Sequence, residues 1–209
     1  MSDFKKYAPY FEYILKVHRR EKASQLLAEL ETEFYSIQPD LVFVQNSPNA
    51  MDKRIVVSAM FLAFIKVLDR HQEKPVTIRA LCLEVAYVYV RPKSFLHGKL
   101  KSLTGKLINT VAGKFLIRWV KKKTQASHPD GFAVKIITDP QETFGLGYGV
   151  DILECGICKL FHKHRHDHYA NILCEVDHVT TRLAGLTLFR NGTIANGAAK
   201  CDFRYRKNS

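Results

Sequence analysis

Four of the five cysteines and five of the nine histidines of this 209-residue chain lie in its last sixty residues. Cys155 and Cys158 form a Cys-x2-Cys pair, Cys174 follows after fifteen intervening residues, and Asp177 stands three beyond it. Two thiolates across a tight turn, with a Cys and an Asp at i and i+3 of one helical face, supply four ligands for a tetrahedral zinc ion. The second pair is Cys-x2-Asp where a structural zinc site usually shows Cys-x2-Cys. His162, His164, His166 and His168 can add ligands, although alternating histidines in so polar a stretch read more plainly as a solvated loop. The same residues also allow nucleophilic catalysis. A thiol becomes a useful nucleophile when a neighbouring base or cation lowers its pKa, with an acid–base partner near the leaving group. Near the end of the chain Cys201 is followed by Asp202, Phe203 and Arg204. On a strand, period 2 places Asp202 and Arg204 on one face and Cys201 with Phe203 on the other, so Cys201 and Asp202 share a pocket only if the strand bulges.

The elements that must position these side chains divide the chain in two. In the first half, Tyr10, Ile14 and Val17, then Ala23, Leu26, Leu27, Leu30 and Phe34, recur at helical steps, which predicts helices to about Ile37. Residues 37–50 read as a connection around a short extended Leu41–Val44. From Asp52 to Gln72 there is no Gly or Pro and the surface is apolar almost all round, the pattern of a buried central helix. Pro75 breaks it, and Thr77 can cap a third helix that holds Cys82 as a packing residue and runs to Val90 before Pro92. Phe95 to Lys123 reads as a basic amphipathic helix interrupted by glycines. After Pro129-Asp130-Gly131 the period changes, predicting strands at Phe132–Thr138, Tyr148–Leu153, Leu186–Arg190 and Lys200–Arg206, with helical spacing at Tyr169–Leu183. Helices first and strands last give an α+β class, a helical half followed by a small antiparallel sheet, in a single domain spanning 1–209.

Composition excludes several classes. With 46% hydrophobic and 25% charged residues the chain is neither disordered nor fibrous. Its apolar runs are far shorter than the roughly 20 residues that span a bilayer. The odd cysteine count and the absence of an apolar leader point to a reducing cytoplasm. Lys and Arg exceed Asp and Glu by 32 to 20, a net +12, and no carboxylate occurs between Glu84 and Asp130 while ten Lys and Arg do. A solvated lysine face is the plain reading; nucleic acid or an anionic membrane surface is the lesser one, resting on charge alone.

As an ordered set the residues are recognisable. Phe144-Gly145-Leu146-Gly147-Tyr148-Gly149-Val150-Asp151, Glu154-Cys155-Gly156-Ile157-Cys158-Lys159-Leu160, Leu173-Cys174-Glu175-Val176-Asp177, Leu188-Phe189-Arg190, Thr193-Ile194-Ala195, Gly197 and Cys201-Asp202-Phe203-Arg204-Tyr205 together resemble the L-2-amino-thiazoline-4-carboxylic acid hydrolase family. The resemblance covers residues 144–206, with Ala198 where members often carry a second glycine. It implies hydrolytic opening of a small cyclic amidine that carries a carboxylate, by carbon–nitrogen cleavage, on a small anionic substrate. Such attack needs a nucleophile, a cation for the carboxylate and an acid for the departing nitrogen. The expected roles are Cys158, Cys174 or Cys201 as thiolate, or a water on zinc held by Cys155, Cys158, Cys174 and Asp177; Asp177 as acid–base group; and Arg190 or Arg204, beside Asp202, as substrate-binding residues. The alternative is a small-molecule binding or sensing module whose cysteines hold a structural zinc.

Overall fold

A computed structural model describes residues 3–91, 110–124, 128–144 and 148–208. The chain opens with α1 (Asp3–His18) and α2 (Ala23–Ile37), joined by a 3₁₀ turn at Arg20–Lys22. Phe4, Tyr7, Ala8, Phe11, Ile14 and Leu15 form one buried stripe of α1, while Asp3 in its first turn and Lys16 and His18 in its last suit the helix dipole. The expected extended Leu41–Val44 is instead helical. A 3₁₀ turn at Gln38–Leu41, started by Pro39, leads into α3 (Val42–Asn46), because Leu41 and Val44, three apart, both bury while Val42 between them is exposed.

Helix α4 (Lys53–Arg70) is the buried centre: Ser58 to Ile65 are all covered, and the Ser58 hydroxyl donates to the Arg54 carbonyl at 3.0 Å. Helix α5 (Pro75–Val90) starts with Pro75 in its first turn and Lys74 as N-cap, so Thr77 is not the cap; its own N–H bonds to the Lys74 carbonyl. Cys82 is fully buried, as expected of a packing residue. The expected basic helix is seen as α6 (Val111–Lys123), capped by the Thr110 hydroxyl; residues 95–109 of that expectation lie outside the described residues. Helix α6 exposes Phe115, Arg118, Trp119 and Lys121–Lys123.

The second half forms the antiparallel order β1-β2-β4-β3 from β1 (Ala133–Ile137), β2 (Gly149–Glu154), β3 (Leu186–Phe189) and β4 (Cys201–Lys207). Helix α7 (Gly156–Lys163) follows β2 directly, and α8 (Ala170–Leu183) precedes β3 and packs on α5. The chain is thus α+β, with one buried cluster running from Phe4 through α4 to Phe203. Asn49 and Asp52 join the halves: Asp52 accepts from the Phe132 N–H at 2.8 Å and the Asn49 amide donates to the Phe132 carbonyl at 2.9 Å. Residue 131 must be glycine there, since a Cβ would stand 2.8 Å from the Asp52 carboxylate. Among the described residues no helix is long and apolar enough to cross a membrane.

Candidate active site

Register places the terminal motif. Ile152 lies opposite Cys201 and Val150 opposite Phe203, while Asp151 lies opposite Asp202, so Cys201, Phe203 and Tyr205 face the helices and Asp202 and Arg204 face away. The strand alternation read from the sequence holds. It bears on one expectation, because Arg204 faces away from the helices and is engaged by carboxylates of the protein itself. Its guanidinium donates to Asp151 at 2.8 Å and to Glu142 at 3.0 Å, and Lys200 closes the network on Asp151 at 2.6 Å. Asp202 is likewise occupied, accepting from the Asn191 N–H and amide at 2.9 and 2.7 Å and from the Gly192 N–H at 3.1 Å, which fixes the link between β3 and β4.

On the inner side, α7, α8, β4 and the start of α4 converge. The Cys155-x2-Cys158 pair is not on a bare tight turn. Cys155 is the extended N-cap of α7 and Cys158 lies in its first turn. Gly156 permits this: a Cβ would lie 2.6 Å from Ile55 Cδ1 on α4 and 3.2 Å from the Asp130 carbonyl. Lys159, one turn on, donates to the Pro129 and Gly131 carbonyls at 2.6 and 3.2 Å, pinning the helix start to the loop before β1.

The neighbouring Cys158 side chain is the largest cause that holds Cys155 below its ordinary pKa. Burial and Asp177 oppose this, while the Cys158 and Ile157 N–H groups at the positive end of α7 assist it without closing a capping hydrogen bond. Cys158, the partner that keeps its proton, is pushed up by Cys155 and by burial. Burial, then Asp177, pushes Cys174 up to about 12, with Arg190 opposing. Burial also raises Cys201, which is 3% exposed and accepts a bond from the Ile194 N–H at 3.2 Å.

Asp177 sits among these thiols. Its side chain is 22% exposed, with Arg190 Nη1 at 3.4 Å from one oxygen and Arg54 Nη1 at 3.7 Å from the other. Burial raises the Asp177 carboxyl; Arg54, Arg190 and His178 pull it down without cancelling the rise. The Arg190 side chain is only 8% exposed, donates to the Cys174 carbonyl at 3.1 Å and lies over the Phe203 ring at 5.1 Å. It also lines a recess of about 490 Å³ with His178, Asn191, Gly192, Thr193 and Asn196. The buried Thr193 hydroxyl there has no hydrogen-bond partner among the described residues. Tyr148 and Tyr205, with ring centroids 5.4 Å apart, stand within the fields of Arg54 and, for Tyr205, of Asp177 and Arg190.

The structure therefore brings together Cys155, Cys158, Cys174, Cys201, Asp177 and Arg190, and sets Asp202 and Arg204 on the opposite face of the sheet. Among the described residues no three His, Cys, Asp or Glu side chains are grouped so as to hold a metal ion, the set Cys155, Cys158, Cys174 and Asp177 included. Physically, Cys155 and Cys158 satisfy each other and two guanidinium groups flank the Asp177 carboxylate where a cation would stand. The histidine run is not simply solvated either: His164 pairs with Asp40 at 2.9 Å and His166 with Asp69 at 3.9 Å, tying the α7–α8 turn to the helical half. Sequence reasoning gave Cys155 only a metal role, although its place between a strand and the Gly156 helix start was a signal. Arg54 carried no local signal, because only the tertiary fold brings α4 to Asp177.

No curated relative and no solved structure matches the chain. The family model of the L-2-amino-thiazoline-4-carboxylic acid hydrolases matches residues 49–205, far more of the helical half than the sequence motifs reach. The span begins just before Arg54 and ends on Tyr205, so it encloses every side chain of the site, and the chain belongs to the L-2-amino-thiazoline-4-carboxylic acid hydrolase family.

Proposed function

We propose that the protein hydrolyses a small carboxylated cyclic amidine of the 2-aminothiazoline-4-carboxylate type by cleaving the ring carbon–nitrogen bond, with Cys155 as nucleophile, Asp177 as acid–base group and Arg190 as carboxylate clamp. The observation that carries this is one cluster holding a thiol at the N-cap of a helix whose pKa its neighbour lowers, a carboxyl whose pKa burial raises, and a buried guanidinium within 3.4 Å of that carboxyl. The substrate carboxylate enters the recess beside Arg190. The Cys155 thiolate adds to the amidine carbon, the ring carbon–nitrogen bond breaks, and Asp177 protonates the departing nitrogen, a proton transfer worth roughly 10²–10⁴ in rate. Asp177, now a carboxylate, takes a proton from water as it attacks the same carbon. Cys155 then leaves as thiolate and the carbon keeps oxygen, sulfur and the exocyclic nitrogen as a carbamoyl group. One water is consumed. A cytoplasmic location agrees with the need for free thiols.

Mass spectrometry of 2-aminothiazoline-4-carboxylate incubated with the protein tests this reading. The expected product is one water heavier and carries a new free amine. A new free thiol instead places the cleavage at carbon–sulfur, and stoichiometric binding without turnover favours a sensing module.

A further inference from the structure

The same thiols carry a second chemistry. Cys155 at the N-cap of α7 and Cys158 three residues on occupy the positions of a reciprocal capping pair, so helical geometry sets the two side chains on one turn. Both are free thiols. Cys155 is 9% exposed, so a small oxidant reaches it more readily than a bulky one, and Cys158 is the more open of the two. Cys174 and Cys201 are near but stand on α8 and β4, and neither lies in the first turn of a helix.

We propose that Cys155 and Cys158 are a peroxide-responsive dithiol that closes reversibly to a disulfide. The Cys155 thiolate attacks one oxygen of hydrogen peroxide, the oxygen–oxygen bond breaks, and hydroxide leaves, giving a sulfenic acid. Cys158 gives its proton to that hydroxide and its thiolate attacks the Cys155 sulfur. The disulfide bond forms, and the sulfenic oxygen departs as hydroxide and takes a proton from solvent. Two thiols are oxidised and one peroxide is reduced to two waters. The disulfide itself is independent of the hydrolytic reading; the loss of turnover on closure rests on Cys155 being the nucleophile.

The test is a thiol count with peptide mapping on the full chain, before and after hydrogen peroxide, with peroxide removed before reading. The expected result is a fall from five free thiols to three, with Cys155 and Cys158 linked, and a return to five on adding a dithiol reductant. Cys158→Ser is expected to leave a Cys155 sulfenic acid that a dimedone-type reagent traps; the wild-type map stands by itself if this variant does not fold. A count that stays at five, a link between Cys174 and Cys201, or overoxidation of Cys155 without a link overturns the proposal. So does a starting count below five that a chelator restores. Reversible closure in a protein that never hydrolyses the amidine, or that hydrolyses it undiminished when closed, supports the dithiol and defeats the hydrolytic assignment instead.

Discussion

At the scale of single residues, the two arginines of the terminal motifs separate cleanly. Arg190 lies against Asp177 and the recess, so Arg190→Lys keeps the charge, loses the fork, and is expected to raise KM with little effect on melting. Arg204 holds Asp151, whose side chain is 5% exposed. Arg204→Ala is expected to cost about 3 kcal/mol in chemical denaturation, because a buried carboxylate is left with Lys200 alone, while KM of the folded fraction stays put. Asp177 supplies a pH signature. Its raised carboxyl is protonated below the folded pKa and loses the proton as pH rises through it, so kcat is expected to fall on the alkaline side. Asp177→Asn should abolish that limb and lower kcat roughly 10²–10⁴-fold; an unchanged profile in this variant removes Asp177 from the proton transfers.

At the scale of elements, the start of α7 decides whether the site exists. Gly156→Ala drives a Cβ to 2.6 Å from Ile55 Cδ1 and 3.2 Å from the Asp130 carbonyl, and an overpacked contact of this kind costs about 1–3 kcal/mol. Adding Ile55→Val removes the offending methyl and is expected to restore part of both melting temperature and turnover; a double variant no better than the single would place the damage elsewhere. Much of this scale was legible in the sequence. Helical steps gave α1, α2, α4 and α8, and alternation gave all four strands and the opposed faces of Cys201 and Asp202. What escaped was short or tertiary. Leu41 and Val44 satisfy a strand and a single helical turn equally well, so four residues could not decide. Pro75 took the first helical position and displaced Thr77 as the expected cap. The carboxylate partners of Arg204 escaped because Asp151 and Glu142 are distant in sequence and meet it only across the sheet and the preceding turn.

At the scale of the whole molecule, ion pairs within each half and, at Asp40, between the two set the response to acid. Burial alone would raise Glu33, Asp40 and Asp151, but Lys66 with Arg70, Lys163 with His164, and Lys200 with Arg204 outweigh it and hold all three below their ordinary values of 4.5, 3.8 and 3.8. Groups depressed in the folded state give stability that is present above those ordinary values and is lost as pH falls through the depressed ones. Asp177 has the opposite sign: its contribution is present below 3.8 and lost as pH rises through its raised value. With three groups against one, the melting temperature is expected to drop as pH falls below about 4.5, and a flat profile there would contradict these pairings. The Asp40 pairs with Lys163 and His164 also hold the end of α7 against the helical half, beside the site where a thiol, a carboxyl and a guanidinium from three separate segments come together. The most direct measurement is therefore turnover of 2-aminothiazoline-4-carboxylate by the wild type and by Cys155→Ser at matched folded concentration. Wild-type hydrolysis that falls at least ~10²-fold in the serine variant, with melting temperature retained, is the predicted result; equal turnover by the folded variant contradicts Cys155 as the nucleophile.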